Sequence, residues 1–190
     1  TGSRSSTNAA SAEKWWSINT IRVWPDEMSK GVSSEVARVN VLGVGISALN
    51  MRLALERILD GADRRGFTGY VTVSGVHGVM ESYRDMELKR IHNRSFLSTP
   101  DGMPMVWMAK WRGHEEVERV YGPDLMLEVV RVTAGTGRRH FFWGGNEGVA
   151  EELSGQMRAR FPGTGVAGTF CPPFRPLTDV EEAELVERLQ

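Results

Sequence analysis

Ser98-Thr99-Pro100-Asp101-Gly102-Met103-Pro104-Met105-Val106-Trp107 is the stretch on which the fold of this chain turns. A short strand candidate, Phe96-Leu97-Ser98, runs into it, and an apolar, helix-like run leaves it. Strand, tight loop and helix in that order make half of a βαβ unit. One carboxylate, Asp101, stands at the junction. It can cap the helix by accepting from backbone N–H groups, or it can act as a general base at the mouth of a sheet. The roles share a position and differ in chemistry, because amide donors stabilise the charged carboxylate and weaken it as a base.

The same alternation extends to both sides. Upstream, Val39-Asn40-Val41-Leu42-Gly43-Val44 reads as a strand. Asn50 is a candidate N-cap, and Met51, Ala54, Leu55, Ile58, Leu59 and Ala62 follow with helical spacing until Gly66. Gly69 to Ser74 reads as a second strand, and a helical segment follows from about Val79 to Asn93. Downstream, Pro123 suits the first turn of a helix running to about Ala134. Arg139 to Trp143 is a strand, Gly144-Gly145-Asn146 a tight turn, and Val149, Leu153 and Met157 mark a helix. Glu147, Glu151 and Glu152 sit early in that helix and Arg158 and Arg160 late, which complements its dipole. Gly165 to Thr169 is another strand candidate, and Thr178-Asp179-Val180-Glu181 forms a capping box. The expectation is an α/β fold, a single Rossmann-like domain with a mostly parallel sheet flanked by helices, spanning 38–190. Ligands of such sheets bind beyond the carboxyl ends of the strands. Here those ends lead into the loops Ser74–Gly78, Thr99–Gly102 and Gly144–Gly148.

Composition narrows the function. With 23 basic and 24 acidic residues the net charge is −1, so nothing calls for nucleic acid. The lone cysteine, Cys171, excludes an internal disulfide framework and a multi-cysteine metal site. His92, His114 and His140 share no ligand spacing, and no metal is assigned. No run of about 18 apolar residues offers a membrane span, and the N-terminus lacks a signal-peptide core. Residues 1–37 are expected to be a flexible leader, or, through Trp15, Trp16, Ile18, Ile21, Val23 and Trp24, an arm that docks on the domain. The chain opens on Thr1 rather than Met, so a larger reading frame is expected.

Several residues admit both a plain and a functional reading. The Gly144-to-Gly148 turn is either a simple βα turn with an Asn146 cap or a diphosphate cradle at a helix N-terminus. Arg119 is either a surface partner of Glu115, Glu116 or Glu118, or a fixed guanidinium for phosphate. His77 is an incidental loop histidine or a sugar or phosphate contact. Trp107, Lys110, Trp111 and Arg112 offer either core packing of Trp107 beside solvated cations or an interfacial membrane contact.

Four stretches in order resemble the WecG/TagA/CpsF glycosyltransferases (glycosyltransferase family 26). They are Val39 to Val44; Pro100 to Trp107, similar to the family's Pro-Asp-Gly-(Ile/Met)-Gly-Val-Val; Glu118-Arg119-Val120-Tyr121-Gly122-Pro123-Asp124-Leu125, similar to Glu-Arg-Val-Ala-Gly-x-Asp-Leu; and Phe141 to Ala150, similar to Leu-Leu-Gly-Gly-x-x-Gly-Val-Ala. The resemblance implies a UDP-sugar-dependent, inverting hexosyltransferase with no metal or other cofactor. It implies a donor such as UDP-N-acetylmannosamine and a polyprenyl-diphosphate-linked sugar as acceptor. The enzyme would act in the cytoplasm, peripheral to the inner face of the cell membrane, in teichoic acid or polysaccharide synthesis. Homo-oligomer formation stays open. Asp101 would be the base. The substrate-binding set would be Arg119, Ser74, His77, Gly102, Gly122, Asp124, Gly144, Gly145 and Asn146.

The chain departs from that pattern twice. Val73 and Gly75 stand where the family has Thr-x-Asn, with Ser74 and His77 as the nearest polar substitutes, so sugar recognition is expected to differ. No Gly-x-Pro-(Lys/Arg)-Gln-Glu motif precedes Gln190, and the chain as given is expected to be incomplete as a catalyst. Two other readings stand beside the transferase: a nucleotide-sugar-binding module without turnover, and a Rossmann oxidoreductase, against which the missing G-x-G-x-x-G after Leu42 counts.

Overall fold

The computed structural model describes residues 36–189. The leader expected over 1–37 lies outside them except for its last two residues. The chain divides into two compact units that meet in sequence at Gly137 and Arg138.

The unit over 36–137 contains β1 (Arg38–Val41), β2 (Val44–Ser47), α1 (Met51–Asp63), β3 (Val71–Ser74), α2 (Val76–Arg84), α3 (Met86–Arg94), β4 (Leu97–Pro100), α4 (Met103–Trp111) and α5 (Gly122–Thr133). The unit over 138–189 contains β5 (Arg139–Trp143), α6 (Val149–Arg160), β6 (Gly165–Phe170) and α7 (Asp179–Leu189). The protein is thus mixed α/β, with seven helices among the described residues. None of those helices is long and apolar enough to cross a membrane.

Two of the three ladders are parallel, as the alternation implies: β3 with β4 and β5 with β6. The first is not. The single strand expected over 39–44 is an antiparallel hairpin, with Val41 opposite Val44. Its two-residue bend carries Leu42 at φ +52° and Gly43 at φ +88°. Both positive angles suit the tight hairpin turn that follows the strand twist. Asn40 Oδ1 accepts from the Gly43 amide at 3.0 Å and closes the bend. A leucine in that conformation carries no sequence signature, so the bend was hidden.

Apolar side chains from the strands feed two clusters in the first unit. Val39, Val41, Val44 and Ile46 meet Val79 of α2 and Met105, Val106 and Ala109 of α4. Leu49, Leu97, Val120 and Leu125 meet Ala54 of α1. Full burial of one Val, Leu or Ile side chain contributes about 1.5–3 kcal/mol, so these clusters hold the strands from both sides. The Ser98 amide donates to Ser47 Oγ at 3.0 Å, which ties β4 to the end of β2.

Caps set the helix boundaries. Asn50 Oδ1 accepts from the Leu53 amide at 3.0 Å, as expected. The segment expected as one helix over 79–93 is two, because Asp85 Oδ1 accepts from the amides of Glu87 and Leu88 and starts α3 afresh. The capping box forms: the Glu181 amide donates to Thr178 Oγ1 at 3.3 Å, and the Thr178 amide donates to Glu181 Oε2 at 2.8 Å. Arg175 also donates twice to Glu181, and these bonds hold its carboxyl at about 2, well below the usual range. The core reading of Trp107 is corrected. Helix α4 turns Met105, Val106 and Ala109 inward, and Trp107 falls on the other side, 62% exposed.

Candidate active site

Strands β3 and β4 run in register and finish level, with Ser74 opposite Pro100. The Asp101 amide donates to the Ser74 carbonyl at 3.1 Å and extends the ladder by one step. All four residues of β4 are buried. Asp101, the next residue, is the first to reach the surface, with its side chain 24% exposed. Gly75 permits the close approach: a Cβ there would lie 3.1 Å from the Asp101 carbonyl oxygen.

Asp101 does not cap α4. Gly102 occupies the N-cap position, and no side chain bonds the first turn. The carboxylate instead meets Arg119, whose Nε and Nη2 both donate to Oδ1 at 3.3 Å. Among the described residues its Oδ2 accepts no hydrogen bond. The sequence offered glutamates as partners for Arg119; the fold delivers an aspartate 18 positions away.

The segment carrying Arg119 is pinned on both sides. The Glu118 amide donates to the Leu49 carbonyl at 3.4 Å and the Val120 amide to the Pro100 carbonyl at 2.9 Å. Val117 and Val120 are buried, so Arg119 is held facing outward. Tyr121 lies beside Arg119, its ring centroid 4.6 Å from the guanidinium carbon. A cation over an aromatic face is attracted to it and steadied. Neither Tyr121 nor Gly75 was among the expected site residues. The Arg-x-Tyr spacing signals the first; Gly75 stood out only as a departure from Thr-x-Asn, and its close approach to Asp101 carried no signal.

The remaining expected residues scatter. Ser74 is fully buried, its hydroxyl 2.8 Å from that of Ser98, so it is engaged inside the sheet. His77 is exposed in the first turn of α2, not in a loop, because α2 starts at Val76. Gly102 adjoins Asp101. Gly122 opens α5 against β3, where a Cβ would lie 3.3 Å from a Val73 methyl. Asp124 is exposed in the first turn of α5, a favourable position for an acid. Three helices, α2, α4 and α5, therefore begin just beyond the ends of these strands, each without a side-chain cap. Their first-turn N–H groups suit an anion.

Gly144, Gly145 and Asn146 belong to the other unit. The Gly144 amide donates to the Phe170 carbonyl at 2.9 Å and continues the β5–β6 ladder. Gly145 has φ +81°, and a Cβ there would lie 2.8 Å from the Val149 side chain. Asn146 does not cap α6 with its side chain; Gly148 is the N-cap, and the Asn146 carbonyl accepts from the Val149 amide. Beside this turn lies an open depression of about 720 Å³, lined by Gly145, Glu147, Phe170, Cys171, Phe174 and Arg175 among others.

Together these features give a partly exposed carboxylate with one oxygen engaged by a cation, uncapped helix starts around it, and a separate glycine turn beside a depression. That equipment suits proton removal from a hydroxyl and the holding of a phosphorylated ligand. No curated protein matches the sequence. The model of the Glycosyl transferase WecG/TagA/CpsF family matches residues 39–190, and the chain therefore belongs to that glycosyltransferase family.

Proposed function

We propose that this glycosyltransferase is inverting and moves an N-acetylmannosamine-like hexose from a UDP-sugar to a polyprenyl-diphosphate-linked sugar. The reading places the enzyme at the inner face of the cell membrane, in polysaccharide or teichoic acid synthesis. The observation that carries it is Asp101, level with the strand ends and paired through Oδ1, with no hydrogen bond to Oδ2 among the described residues. The acceptor hydroxyl attacks the anomeric carbon and gives its proton to Oδ2. The bond from that carbon to the diphosphate breaks on the opposite face, so the configuration inverts and UDP leaves with the electron pair. Arg119 meets a diphosphate with a planar fork of donors. Gly102, Gly122 and Asp124 shape the rim. The Gly144–Gly145–Asn146 turn offers backbone amides to the nucleotide, and His77 is a sugar contact. Ser74 acts from beneath, holding β3 to β4.

Asp101→Asn keeps the shape of the side chain and removes its basicity. Transfer of radiolabelled sugar from the UDP-donor to the lipid-linked acceptor should fall by about a hundred- to ten-thousandfold. The melting curve and the calorimetric UDP titration should match those of the unaltered chain. Unaltered turnover would end the assignment of Asp101 as base.

A further inference from the structure

We propose that the outer face of α4 is a membrane-docking surface for anionic lipid. Met103, Trp107 and Trp111 recur every four residues and form one stripe along this helix. They are 45, 62 and 76% exposed. Pro104 is exposed on the same side. Scattered apolar residues on a surface need no explanation, but two tryptophans and a methionine in line form a patch that does.

Charge selects the occupant. Residues 102–114 contain no Asp or Glu; Lys110 and Arg112 supply positive charge. Lys110 is exposed beside the stripe, and the Arg112 guanidinium lies 5.4 Å from the Trp111 ring centroid. The exposed faces of α1, α3 and α5 differ, because each carries an internal pair of opposite sign: Arg52 with Glu56, Arg90 with Glu87, Arg131 with Glu128. Tryptophan seeks the headgroup level of a bilayer, and flanking cations are drawn to anionic lipid. A second copy fits less well. In a two-fold pairing the stripe meets itself, and Lys110 and Arg112 would then face their own duplicates with no carboxylate on the face to offset them.

The stripe begins two residues after Asp101. At 1.5 Å per residue, a helix of 9 residues lying flat keeps the carboxylate within about 15 Å of the lipid. The inference thus deepens the proposed function by giving the lipid-linked acceptor a surface to be met on, and in that respect rests on it.

The test reads vesicle binding rather than turnover, so a failure here leaves the transferase reading to its own assay. The full chain is floated with vesicles of phosphatidylglycerol and phosphatidylcholine, and with phosphatidylcholine alone. The paired substitution Trp107→Ser and Trp111→Ser alters only exposed side chains, and circular dichroism checks the fold. Binding to the anionic vesicles should fall about tenfold or more in this variant. Lys110→Glu with Arg112→Glu should remove the preference for phosphatidylglycerol. Equal binding by the unaltered and Trp-substituted chains would overturn the proposal, as would no binding by either. If the unaltered chain sediments as a dimer that the Trp variant dissociates, and neither binds vesicles, the face belongs to a second copy and the proposal is overturned.

Discussion

Two of the strand-to-helix junctions among the described residues are built on opposite terms. Between β4 and α4 the link is Asp101-Gly102, following a strand with every residue buried. Between β5 and α6 it is Gly144 to Gly148, following a strand with a single buried residue, Phe142. The first holds a side chain still by burying what precedes it. The second fixes backbone amides by adopting angles that only glycine reaches easily: Gly144, Gly145 and Gly148 all have φ near or above +80°. Carboxylate chemistry needs the first device. A cradle for a ligand's phosphates needs the second.

Three perturbations bear on that contrast. The largest effect belongs to the buried strand. Leu97 is 1% exposed, and Leu97→Ala should cost about 2–5 kcal/mol in a denaturant titration. If the cost is under 1 kcal/mol, packing does not hold the Asp101 junction. Next is Gly145→Ala, where both the angle and the Val149 contact oppose a Cβ. The expected loss is about 1–3 kcal/mol, with weaker UDP binding by calorimetry. Binding at the level of the unaltered chain would remove the turn from the nucleotide site.

The smallest effect is a pH dependence. His92 lies in the first unit, its Nδ1 2.6 Å from Ser82 Oγ, and His140 in the second. Burial strips water from the charged imidazole and holds both below the ordinary 6.5. As pH falls past 6.5 the unfolded chain takes up these protons before the folded one. Stability is therefore complete above 6.5 and is lost as pH drops toward the folded values, by at most about 1.4 kcal/mol per histidine for each pH unit. Denaturation midpoints at pH 7.5, 6.5 and 5.5 give the slope. His92→Gln should reduce it and leave the share of His140; an unchanged slope would show that the first unit adds nothing to it.

What the sequence made legible was whatever local chemistry decides. Asn50, the Thr178–Glu181 box and the glycine turn all announce themselves within four residues. Asp101 at a strand end was legible for the same reason. What three dimensions decide was not. The bond between Asp101 and Arg119 spans 18 positions and depends on Val117 and Val120 being buried on either side. The division of the 79–93 helix hinged on Asp85 choosing amides over water. Trp107 misled because a tryptophan in an apolar run reads as core, whereas the inward quadrant of α4 is taken by smaller or more pliant side chains.

The hairpin bend at Leu42 has a practical consequence. An L-residue with a branched side chain sits there in a conformation that asparagine or glycine adopts more readily. The bend lies at the other end of β2 from Leu49, whose carbonyl steadies the Arg119 segment. An engineer seeking a hardier catalyst can therefore recast position 42 and relieve that local discomfort without disturbing the chemistry at the opposite rim.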